Sequence, residues 1–535
     1  MAVSLGKLPF GKGPGKWVRR TFGGLDRRED AGDGAVRSMT NMTGQGGSLF
    51  AREPRWRIGS LEKPNGLFVR DGIYTVDGTA FYADGVQKGT VTDSPKTFAS
   101  LGPYVVILPD KAYYHTGSGV FGSLEARAQS VACRICDGTY AGEPAEANTL
   151  RATAAGFDWG AYFRPGDAVT VAGAATHPEN NVTIIVREIQ GDELRFYPNS
   201  FVIGEGGDNE TLTVSRTVPE MDFIFENDNR LWGCKGDEIF ACKPGDPFNW
   251  NVFDGLDSDS YAAQVGSAGD FTGACSYLGY PVFFKEENIY KVYGTVPSNY
   301  QLIGSATLGV AAGSGKSLAV AGETLCYLSR AGVVAYGGGI PSPVGGALGD
   351  LRLSHATAGS DGLRYYLSAK EPNGDGHLLC YDSERGLWFR EDALQVVGWG
   401  YAGGVLMLDA SGTLWQRDGT PPAGAAAETG VQSAVELGDF CGEENARWQH
   451  RKTVGRMQLR LELSPGAQVT LQASFDGGPW ETVGCVGDPA GRRERTFLLP
   501  WRPRRCDQFR LRLNAVGGWS LRGMSVAMYD GSELR

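Results

Sequence analysis

The chain has 535 residues, of which 21% are charged and 41% hydrophobic, and its 78 glycines are about twice the usual share. This length exceeds what one hydrophobic core supports, and the composition excludes disordered and collagen-like chains. No apolar run reaches the roughly 18 residues of a membrane span, and residues 1–7 lack the apolar segment of an export signal. We therefore expect a soluble protein, made in a cytoplasm and without a membrane partner.

The net charge of −10 is unevenly distributed along the chain. Residues 1–28 carry +6 and residues 441–535 carry +5, which leaves −21 on residues 29–440. A body with this charge repels a phosphate backbone, so the charge pattern disfavours conventional DNA binding by the central part of the chain. The two basic ends are expected to dock on acidic partners.

A glycine-rich basic segment opens the chain, with a proline in its middle and no strand pattern before it. We predict that residues 1–60 form a basic arm followed by entry strands. Such a segment is either a solvated terminus or a stretch that becomes ordered on an acidic partner surface. The candidate partner-binding residues in it are Lys12, Lys16, Arg19 and Arg20.

The rest of the chain has the pattern of β structure. Helical periodicity is nearly absent, and short apolar or alternating runs end in Asp-Gly, Gly-Gly or Asn-Gly turns, as in 72–78 and 405–415. Three pairs of anchors stand eight residues apart, and the pairs follow one another at intervals of 50 and 88 residues. They are Cys242 with Trp250, Val292 with Tyr300, and Cys380 with Trp388.

The interval of 88 splits into two copies of about 44 if 334–336 supplies the missing strand, and that period is typical of a four-stranded propeller blade. We therefore predict an all-β fold built on a β-propeller of six or seven blades, with its first blades in 61–125 and the remaining blades in 218–425. An array of β-sandwiches is the alternative.

Two further units are expected. Residues 126–217 contain short strand-like runs joined by tight turns, which predict a small β-barrel inserted into the propeller and available for contacts. After a linker-like stretch at 421–427, residues 431–535 alternate apolar and polar side chains, as in 457–463 and 509–513. This alternation predicts a C-terminal antiparallel β-sandwich with one arginine-rich face.

A second basic cluster lies in this C-terminal region, around Trp501. An aromatic residue among arginines suits nucleic acid or glycan binding. A solvated charged face and a salt-bridged surface between subunits are the alternatives. The candidate partner-binding residues are Arg502, Arg504 and Arg505.

Motifs that carry chemistry are few. Residues 313–317, Gly-Ser-Gly-Lys-Ser, end like a phosphate-binding loop, but Val310 replaces its first glycine and the following residues predict a hairpin rather than a helix. We expect a turn between blades there. The repeated Ser-x-Asp-x-Gly-x-x-Trp turn of sialidases is approached only at 409–415, where the serine is absent and the glycine comes one place late. We expect neither enzymatic activity nor catalytic residues.

The ten cysteines are scattered, and only Cys133 and Cys136 have a metal-like spacing. One such pair supplies half of a zinc site, and the chain has five histidines in all. We therefore expect no metal and no other cofactor, and we interpret the cysteines as reduced thiols that pack as small hydrophobes.

Several short motifs, taken in order, resemble one family. They are Phe22-Gly23-Gly24-Leu25-Asp26, Ser38-Met39-Thr40-Asn41-Met42, Ser48-Leu49-Phe50-Ala51-Arg52-Glu53-Pro54-Arg55, the run 163–171, Asn229-Arg230-Leu231-Trp232-Gly233, Gly245-Asp246-Pro247-Phe248-Asn249-Trp250 and Tyr529-Asp530-Gly531-Ser532. Together with the basic start, this order of features resembles the tail nozzle proteins of tailed bacteriophages. These proteins are also called tail tubular protein B or packaged-DNA stabilisation proteins.

The resemblance implies a structural protein of the virion tail, assembled in the cytoplasm of the bacterial host. It implies a homo-oligomeric ring, a hexamer, that continues the DNA channel below the portal and adaptor, retains the packaged genome and conducts it on ejection. The implied partners are further copies, portal and adaptor, other tail proteins, and double-stranded DNA that passes without specific binding.

The charge distribution is compatible with this reading, since an acidic lumen lets DNA pass without salt-sensitive binding, and a ring needs head-to-tail contacts between identical subunits. A receptor- or glycan-binding propeller of the tail is the alternative function. A propeller-type glycoside hydrolase is the third.

Overall fold

The structure is a computed structural model that describes residues 15–139, 146–441, 450–487, 495–499 and 504–533. It confirms the all-β class. The helical segments of these ranges are five 3-10 turns: Trp159–Ala161, Pro178–Asn180, Pro297–Asn299, Gly315–Ser317 and Gly346–Leu348. Within the same ranges no helix has the length and apolar character that crossing a membrane requires.

The N-terminal strands are shared between two units. They are β1 (Gly15–Arg19), β2 (Ala35–Thr40), β3 (Met42–Gln45), β4 (Ser48–Ala51) and β5 (Trp56–Ser60). The first four belong to the C-terminal sandwich and the fifth belongs to the propeller. From Gly15 onward the expected basic arm is therefore part of a folded sheet, whereas Lys12 lies outside the described residues.

The first two propeller blades are four-stranded antiparallel sheets. Blade 1 contains β6 (Pro64–Val69), β7 (Ile73–Asp77), β8 (Ala80–Ala83) and β9 (Val86–Thr90). Blade 2 contains β10 (Thr97–Leu101), β11 (Tyr104–Leu108), β12 (Ala112–His115) and β13 (Phe121–Ser123).

An inserted unit separates blades 2 and 3. Its strands are β14 (Ala126–Gly138), β15 (Glu146–Ala152), β16 (Ala168–Ala172), β17 (Thr183–Ile185), β18 (Glu188–Gln190), β19 (Glu193–Arg195) and β20 (Asp208–Arg216), in the sheet order β17-β16-β20-β14-β15-β19-β18. The two edge strands β17 and β18 are separated by only two residues of chain, so the sheet must curl until its edges meet. The resulting barrel encloses its own core, which includes Trp159, Phe196 and Val214.

Blades 3 to 6 repeat the same four-stranded hairpin order. Their strands are β21 (Phe223–Asn227), β22 (Arg230–Lys235), β23 (Glu238–Ala241) and β24 (Tyr261–Gln264); β25 (Gly273–Tyr277), β26 (Tyr280–Phe284), β27 (Asn288–Tyr293) and β28 (Gln301–Ala306); β29 (Ala319–Ala321), β30 (Thr324–Ser329), β31 (Gly332–Tyr336) and β32 (Ser342–Pro343); β33 (Ser354–Ser360), β34 (Arg364–Lys370), β35 (Gly376–Asp382) and β36 (Leu387–Arg390). Val292 and Cys380 lie on third strands and Cys242 directly follows one, so the repeated anchors mark equivalent places.

Blade 7 closes the ring. Its inner strands are β37 (Val396–Tyr401), β38 (Val405–Asp409) and β39 (Thr413–Gln416), and its fourth strand is β5 from the N-terminal region. Strand β37 also lies beside β6 of blade 1. The approach is so close that a Cβ at Gly400 would lie 2.3 Å from the Cγ2 atom of Val69. The described part of the chain therefore contains seven blades, within the predicted six or seven.

The C-terminal unit is the predicted antiparallel sandwich. After β40 (Ala426–Ala427), which pairs with β5, its strands are β41 (Gln432–Phe440), β42 (His450–Leu463), β43 (Gln468–Phe475), β44 (Glu481–Gly487), β45 (Arg495–Leu499), β46 (Arg504–Cys506), β47 (Phe509–Val516) and β48 (Trp519–Glu533). One sheet has the order β3-β4-β48-β42-β45, with β1 on β48 and β46 on β42, and the other has the order β2-β41-β47-β43-β44. One continuous core, including Trp17, Trp388 and Phe440, joins this sandwich to blades 5 to 7.

Candidate functional site

The mouth of the central tunnel is crossed by one lysine. Lys316 lies in the 3-10 turn before β29 of blade 5, and its Nζ donates a hydrogen bond to the main-chain oxygen of Lys96 at 3.2 Å. Lys96 directly precedes β10 of blade 2, which is separated from blade 5 by two blades on one side and three on the other. The Gly-Ser-Gly-Lys-Ser segment thus supplies a link across the propeller axis rather than a phosphate-binding helix.

This lysine is enclosed by protein and still in contact with solvent. The side chain is exposed to solvent, but nearby protein atoms displace part of the water around its ammonium. The resulting loss of hydration lowers the pKa of Lys316.

Carboxylates also stand at this mouth. Glu286 and Glu287 form the turn between the second and third strands of blade 4, and both are exposed. Glu286 accepts a hydrogen bond from the backbone N–H of Ala312 at 3.1 Å, in the loop that leads to Lys316, whereas Glu287 pairs with Arg330. The two neighbouring carboxylates therefore face different partners.

The two basic clusters predicted from the sequence lie on the same sheet of the sandwich. Strand β1 carries Lys16 and Arg19 on one side of β48, and β46 carries Arg504 and Arg505 on the far side of β42. Gly15, Met528, Val454 and Arg504 are successive partners across four strands, so the clusters lie roughly 14 Å apart at 4.8 Å per strand.

These residues differ in what they contact. Arg19 donates to the main-chain oxygen of Gly34 at 2.8 Å and lies against Trp17, and Arg504 pairs with Glu481 at 2.5 Å. Lys16, Arg20 and Arg505 are exposed and form no ion pair with any described residue. Arg502 lies outside the described residues.

Sequence reasoning missed a further arginine on this surface. Arg456 is exposed in the bulge between Val454 and Met457, and likewise has no ion pair in the described ranges. The bulge faces Ala527, which is the partner of Lys16 on β1. We define the basic sheet face as Lys16, Arg456 and Arg505. Its only signal in the sequence was arginine alternation along β42, which does not show which arginines are already paired.

Acidic residues occupy the propeller turns that join first to second and third to fourth strands, all of which lie on one face. The exposed members include Asp84 in blade 1, Asp228 and Asp257 in blade 3, Glu323 in blade 5 and Glu384 in blade 6. We define these five residues as the acidic turn face. These five side chains are opposite in charge to the basic sheet face, and the same turns also carry the exposed Arg70 and Arg385.

Two of the short motifs noted in the sequence, 163–171 and 245–250, lie at the junction between the barrel and blade 3. Arg164 and Asp167 of the barrel meet Asp246 and Asn249 of blade 3: Arg164 pairs with Asp246 at 2.7 Å, and the Asn249 amide donates to Asp167 at 3.3 Å. The Arg164 guanidinium also lies 4.1 Å from the ring centroid of Phe248. Two motifs far apart in sequence therefore hold the barrel on the propeller.

A buried ionic cluster joins the sandwich to the propeller. Glu391, which follows the last strand of blade 6, contacts Arg55 at 2.8 Å and Arg417 at 2.6 Å, and Arg52 pairs with Glu428 at 2.8 Å. Burial by itself raises the pKa of Glu391, but the charges of Arg417, Arg55 and Arg52 outweigh it and lower the pKa to about 2. This carboxylate is ionised at neutral pH and holds arginines from two segments.

The thiols and possible metal ligands offer little chemistry. All ten cysteines are free, and seven of them, including Cys133 and Cys136, are buried. In the described residues no three His, Cys, Asp or Glu side chains are grouped as metal ligands would be.

No protein-family model and no curated protein matches the chain. Solved structures with similarity include an exo-β-1,3-galactanase from Phanerochaete chrysosporium in complex with galactose, at 10% identity and a TM-score of 0.21, covering 71% of this chain and 100% of that chain. An arabinoxylan arabinofuranohydrolase from Bacillus subtilis has 8% identity and a TM-score of 0.19, and the match covers 86% of this chain and 95% of that chain. A mutant Trypanosoma rangeli sialidase has 10% identity and a TM-score of 0.20, and the match covers 98% of this chain and 96% of that chain.

These matches correct one expectation. All three proteins are named as enzymes: a galactanase, an arabinofuranohydrolase and a sialidase. This finding contradicts the expectation, drawn from missing motifs, that the chain has no enzymatic activity. At TM-scores near 0.2 the likenesses carry no argument about substrate or catalytic residues.

Proposed function

We propose that this chain is a structural subunit of a bacteriophage tail nozzle, which assembles with further copies into a ring around a DNA channel. The order of the short motifs that resemble tail nozzle proteins supports this proposal. Residues of these motifs also form the contacts that fix the barrel and the sandwich on the propeller. A ring that transmits DNA needs subunits whose units do not shift relative to one another.

The observation that carries the proposal is the presence of two complementary charged surfaces on one chain. The basic sheet face lies on the sandwich, and the acidic turn face lies on the propeller. Two different surfaces of the same subunit that attract each other produce head-to-tail contacts, and such contacts close into a ring at a fixed rotation. The net charge of −21 on residues 29–440 then favours a channel wall that does not retain DNA.

Native mass spectrometry and sedimentation of the full chain, with and without the adaptor ring, test the assembly. We expect a ring, and we expect molar salt to weaken it because exposed charges are screened over a few ångströms at that ionic strength. A chain that stays monomeric at low salt even beside its adaptor contradicts the proposal.

Charge reversal then tests the surfaces. The variant Lys16→Glu/Arg456→Glu/Arg505→Glu is expected to prevent assembly. The matched control is Arg57→Glu/Lys88→Glu/Arg127→Glu, which changes the net charge equally at exposed sites elsewhere and is expected to assemble. Mixing the first variant with Asp228→Lys/Asp257→Lys/Glu323→Lys is expected to restore contacts. Equal behaviour of the first variant and its control excludes the basic sheet face as the interface.

A second candidate function is hydrolysis of glycosides, supported by the exposed carboxylate of Glu286 at the tunnel mouth beside the loop of Lys316. Turnover of a glycoside library tests it. If Glu286 acts as a general acid or base, Glu286→Gln should reduce turnover by about 100-fold or more, whereas Glu384→Gln on the opposite face should not. Absence of turnover, or turnover that survives Glu286→Gln, counts against this candidate.

A further inference from the structure

A cavity opens between blades 4 and 5, away from the tunnel mouth. It has a volume of about 400 Å³, within the range of small-ligand pockets. On blade 4 it is lined by Lys291 and Tyr293 of β27 and by Ile303 and Ser305 of β28. On blade 5 it is lined by Tyr336 and by the glycine-rich turn that follows.

Lys291 has no anionic partner among the residues that the structure describes. The residue is 8% exposed, and its Nζ lies 5.2 Å and 5.5 Å from the ring centroids of Tyr280 and Tyr293. No described residue accepts a hydrogen bond from this ammonium or forms an ion pair with it, and none of the residues that line the cavity is acidic. Two aromatic rings offset part of the cost of burying the charge, but they do not use its hydrogen-bonding capacity.

The ammonium is directed into the cavity. A Cβ built on Gly338, in the wall formed by blade 5, would lie 3.7 Å from the Nζ of Lys291. In the register of blade 4, Lys291 is the partner of Ile303, and Ile289 is the partner of Ser305. These side chains therefore face blade 5 together, and they place one positive charge among aromatic, aliphatic and hydroxyl groups.

The other walls determine what kind of anion fits. The rings of Tyr293 and Tyr336 and the side chain of Ile303 offer apolar surface, and Ile340 at the rim is 85% exposed. The hydroxyl of Ser305 makes no hydrogen bond with a described residue and can pair with a ligand hydroxyl. A ring with apolar faces, several hydroxyls and one carboxylate satisfies all of these groups, whereas a bare inorganic anion leaves the apolar walls unused.

We propose that this cavity binds a monosaccharide acid of the hexuronate class, with its carboxylate on Lys291 and its ring between Tyr293 and Tyr336. The site goes beyond the proposed ring function and does not depend on it, since it lies between two blades of one subunit.

Saturation-transfer NMR and calorimetry on the full chain test the site, with glucuronate as probe and glucose, acetate and phosphate as comparison ligands. We expect saturable binding of glucuronate, and binding at least about tenfold weaker for glucose because it lacks the charge-assisted hydrogen bond. Glucose binding as tight as that of glucuronate overturns the role of Lys291. Phosphate or acetate binding as tight as that of glucuronate overturns the assignment to a sugar acid.

Two variants act by different means. Lys291→Met removes the charge and keeps most of the stem. Gly339→Leu keeps the charge and fills the cavity. Apart from its two chain neighbours, no described residue has an atom within 4 Å of a Cβ at Gly339, and the φ of Gly339 is not positive. Both are expected to abolish glucuronate binding. Lys285→Met is the matched control, because Lys285 is a buried lysine of the same blade whose Nζ already donates to the Ser267 main-chain oxygen at 2.7 Å.

Thermal unfolding of each variant separates loss of binding from loss of folding. A folded Gly339→Leu variant that still binds glucuronate like the parent chain overturns the location of the site. Absence of saturable glucuronate binding by the parent chain overturns the proposal altogether, and neither result bears on ring assembly.

Discussion

The Nζ of Lys316 and the main-chain oxygen of Lys96 are joined by a 3.2 Å hydrogen bond across the mouth of the propeller tunnel. The two residues are 220 positions apart in sequence. One belongs to blade 2 and the other to blade 5, and two blades separate them on the shorter side of the ring. The bond brings an ammonium into a confined space, and the lowered pKa of Lys316 is the thermodynamic expression of that confinement.

This relationship predicts a pH-dependent difference between the parent chain and Lys316→Met. A lysine whose folded pKa is lowered opposes folding at neutral pH, and the opposition disappears as pH rises from the folded pKa to the ordinary value. The variant is therefore expected to gain stability relative to the parent at pH 7 and to lose that gain near pH 10. The change should stay below about 1 kcal/mol because the tunnel is open to water. Urea unfolding at both pH values measures it, and a pH-independent difference contradicts it.

The ionic cluster predicts a large loss of stability for Glu391→Gln. The side chain of Glu391 is 2% exposed and neutralises Arg55 and Arg417. Removing its charge leaves buried guanidinium groups uncompensated, at a cost of about 3–5 kcal/mol in the free energy of unfolding. Glu462→Gln is the control, because the exposed pair with Arg522 should contribute less than about 1 kcal/mol. Denaturant unfolding of both variants decides between them, and equal effects would refute the prediction.

The same carboxylate predicts a stability loss in acid. With a folded pKa of about 2 against an ordinary value of 4.5, Glu391 stabilises the fold fully above about pH 5. That contribution is lost as pH falls from about 4.5 to about 2, because the unfolded chain takes up the proton first. The difference in unfolding free energy between the parent and Glu391→Gln should shrink across this window. A constant difference from pH 6 to pH 2.5 would disprove the assignment.

The N-terminal Phe-Gly-Gly-Leu motif predicts opposite outcomes for adjacent glycines. A Cβ at Gly24 would lie 2.2 Å from the main-chain oxygen of Trp388, which already accepts a hydrogen bond from the backbone N–H of Leu25 at 2.6 Å. A Cβ at Gly23 would have no atom of a described residue within 4 Å, apart from its two chain neighbours. Gly24→Ala should cost about 2 kcal/mol or more through overpacking, and Gly23→Ala should stay within about 0.5 kcal/mol. Thermal unfolding of the two variants compares them directly. Similar melting temperatures would show that the segment does not dock on blade 6 in this way.

Thiol reactivity gives a further check on packing. Cys485 is exposed, whereas Cys275 and Cys441 are partly buried and the other seven cysteines are buried. Burial raises the pKa of Cys275 to about 12 and that of Cys441 to about 11, so few of their thiols are ionised at neutral pH. A chromogenic disulfide should modify one thiol rapidly in the native chain and all ten in denaturant. Cys485→Ser should remove the rapid phase, and Cys441→Ser should keep it.

Local pattern was sufficient to predict much of the fold. Alternating side chains and glycine turns carry the strand and hairpin information within a few residues, so the all-β class, the propeller, the inserted barrel and the sandwich followed from the sequence. The anchors at Val292 and Cys380 marked equivalent third strands because each blade buries its faces against its neighbours in the same way.

The candidate sites could be predicted only in part. Lys16 and Arg505 were singled out as basic residues, but their location on one sheet depends on the pairing of β1 with β48 and of β46 with β42. Lys291 carried no signal in the sequence, and Arg456 carried only the arginine alternation along β42. Neither pattern shows whether a cation is paired, because that depends on residues remote in sequence.

The amino-acid sequence by itself determined the class, the repeat and the uneven charge, since these depend on composition and on neighbours along the chain. Only the tertiary structure decided that β5 completes blade 7, that Lys316 reaches Lys96, and that Arg164 meets Asp246. The physical reason is that each contact joins segments far apart in sequence. Closure of the ring of blades brings β5 and Lys316 to their partners, and docking of the inserted barrel brings Arg164 to Asp246, and no local pattern encodes either event.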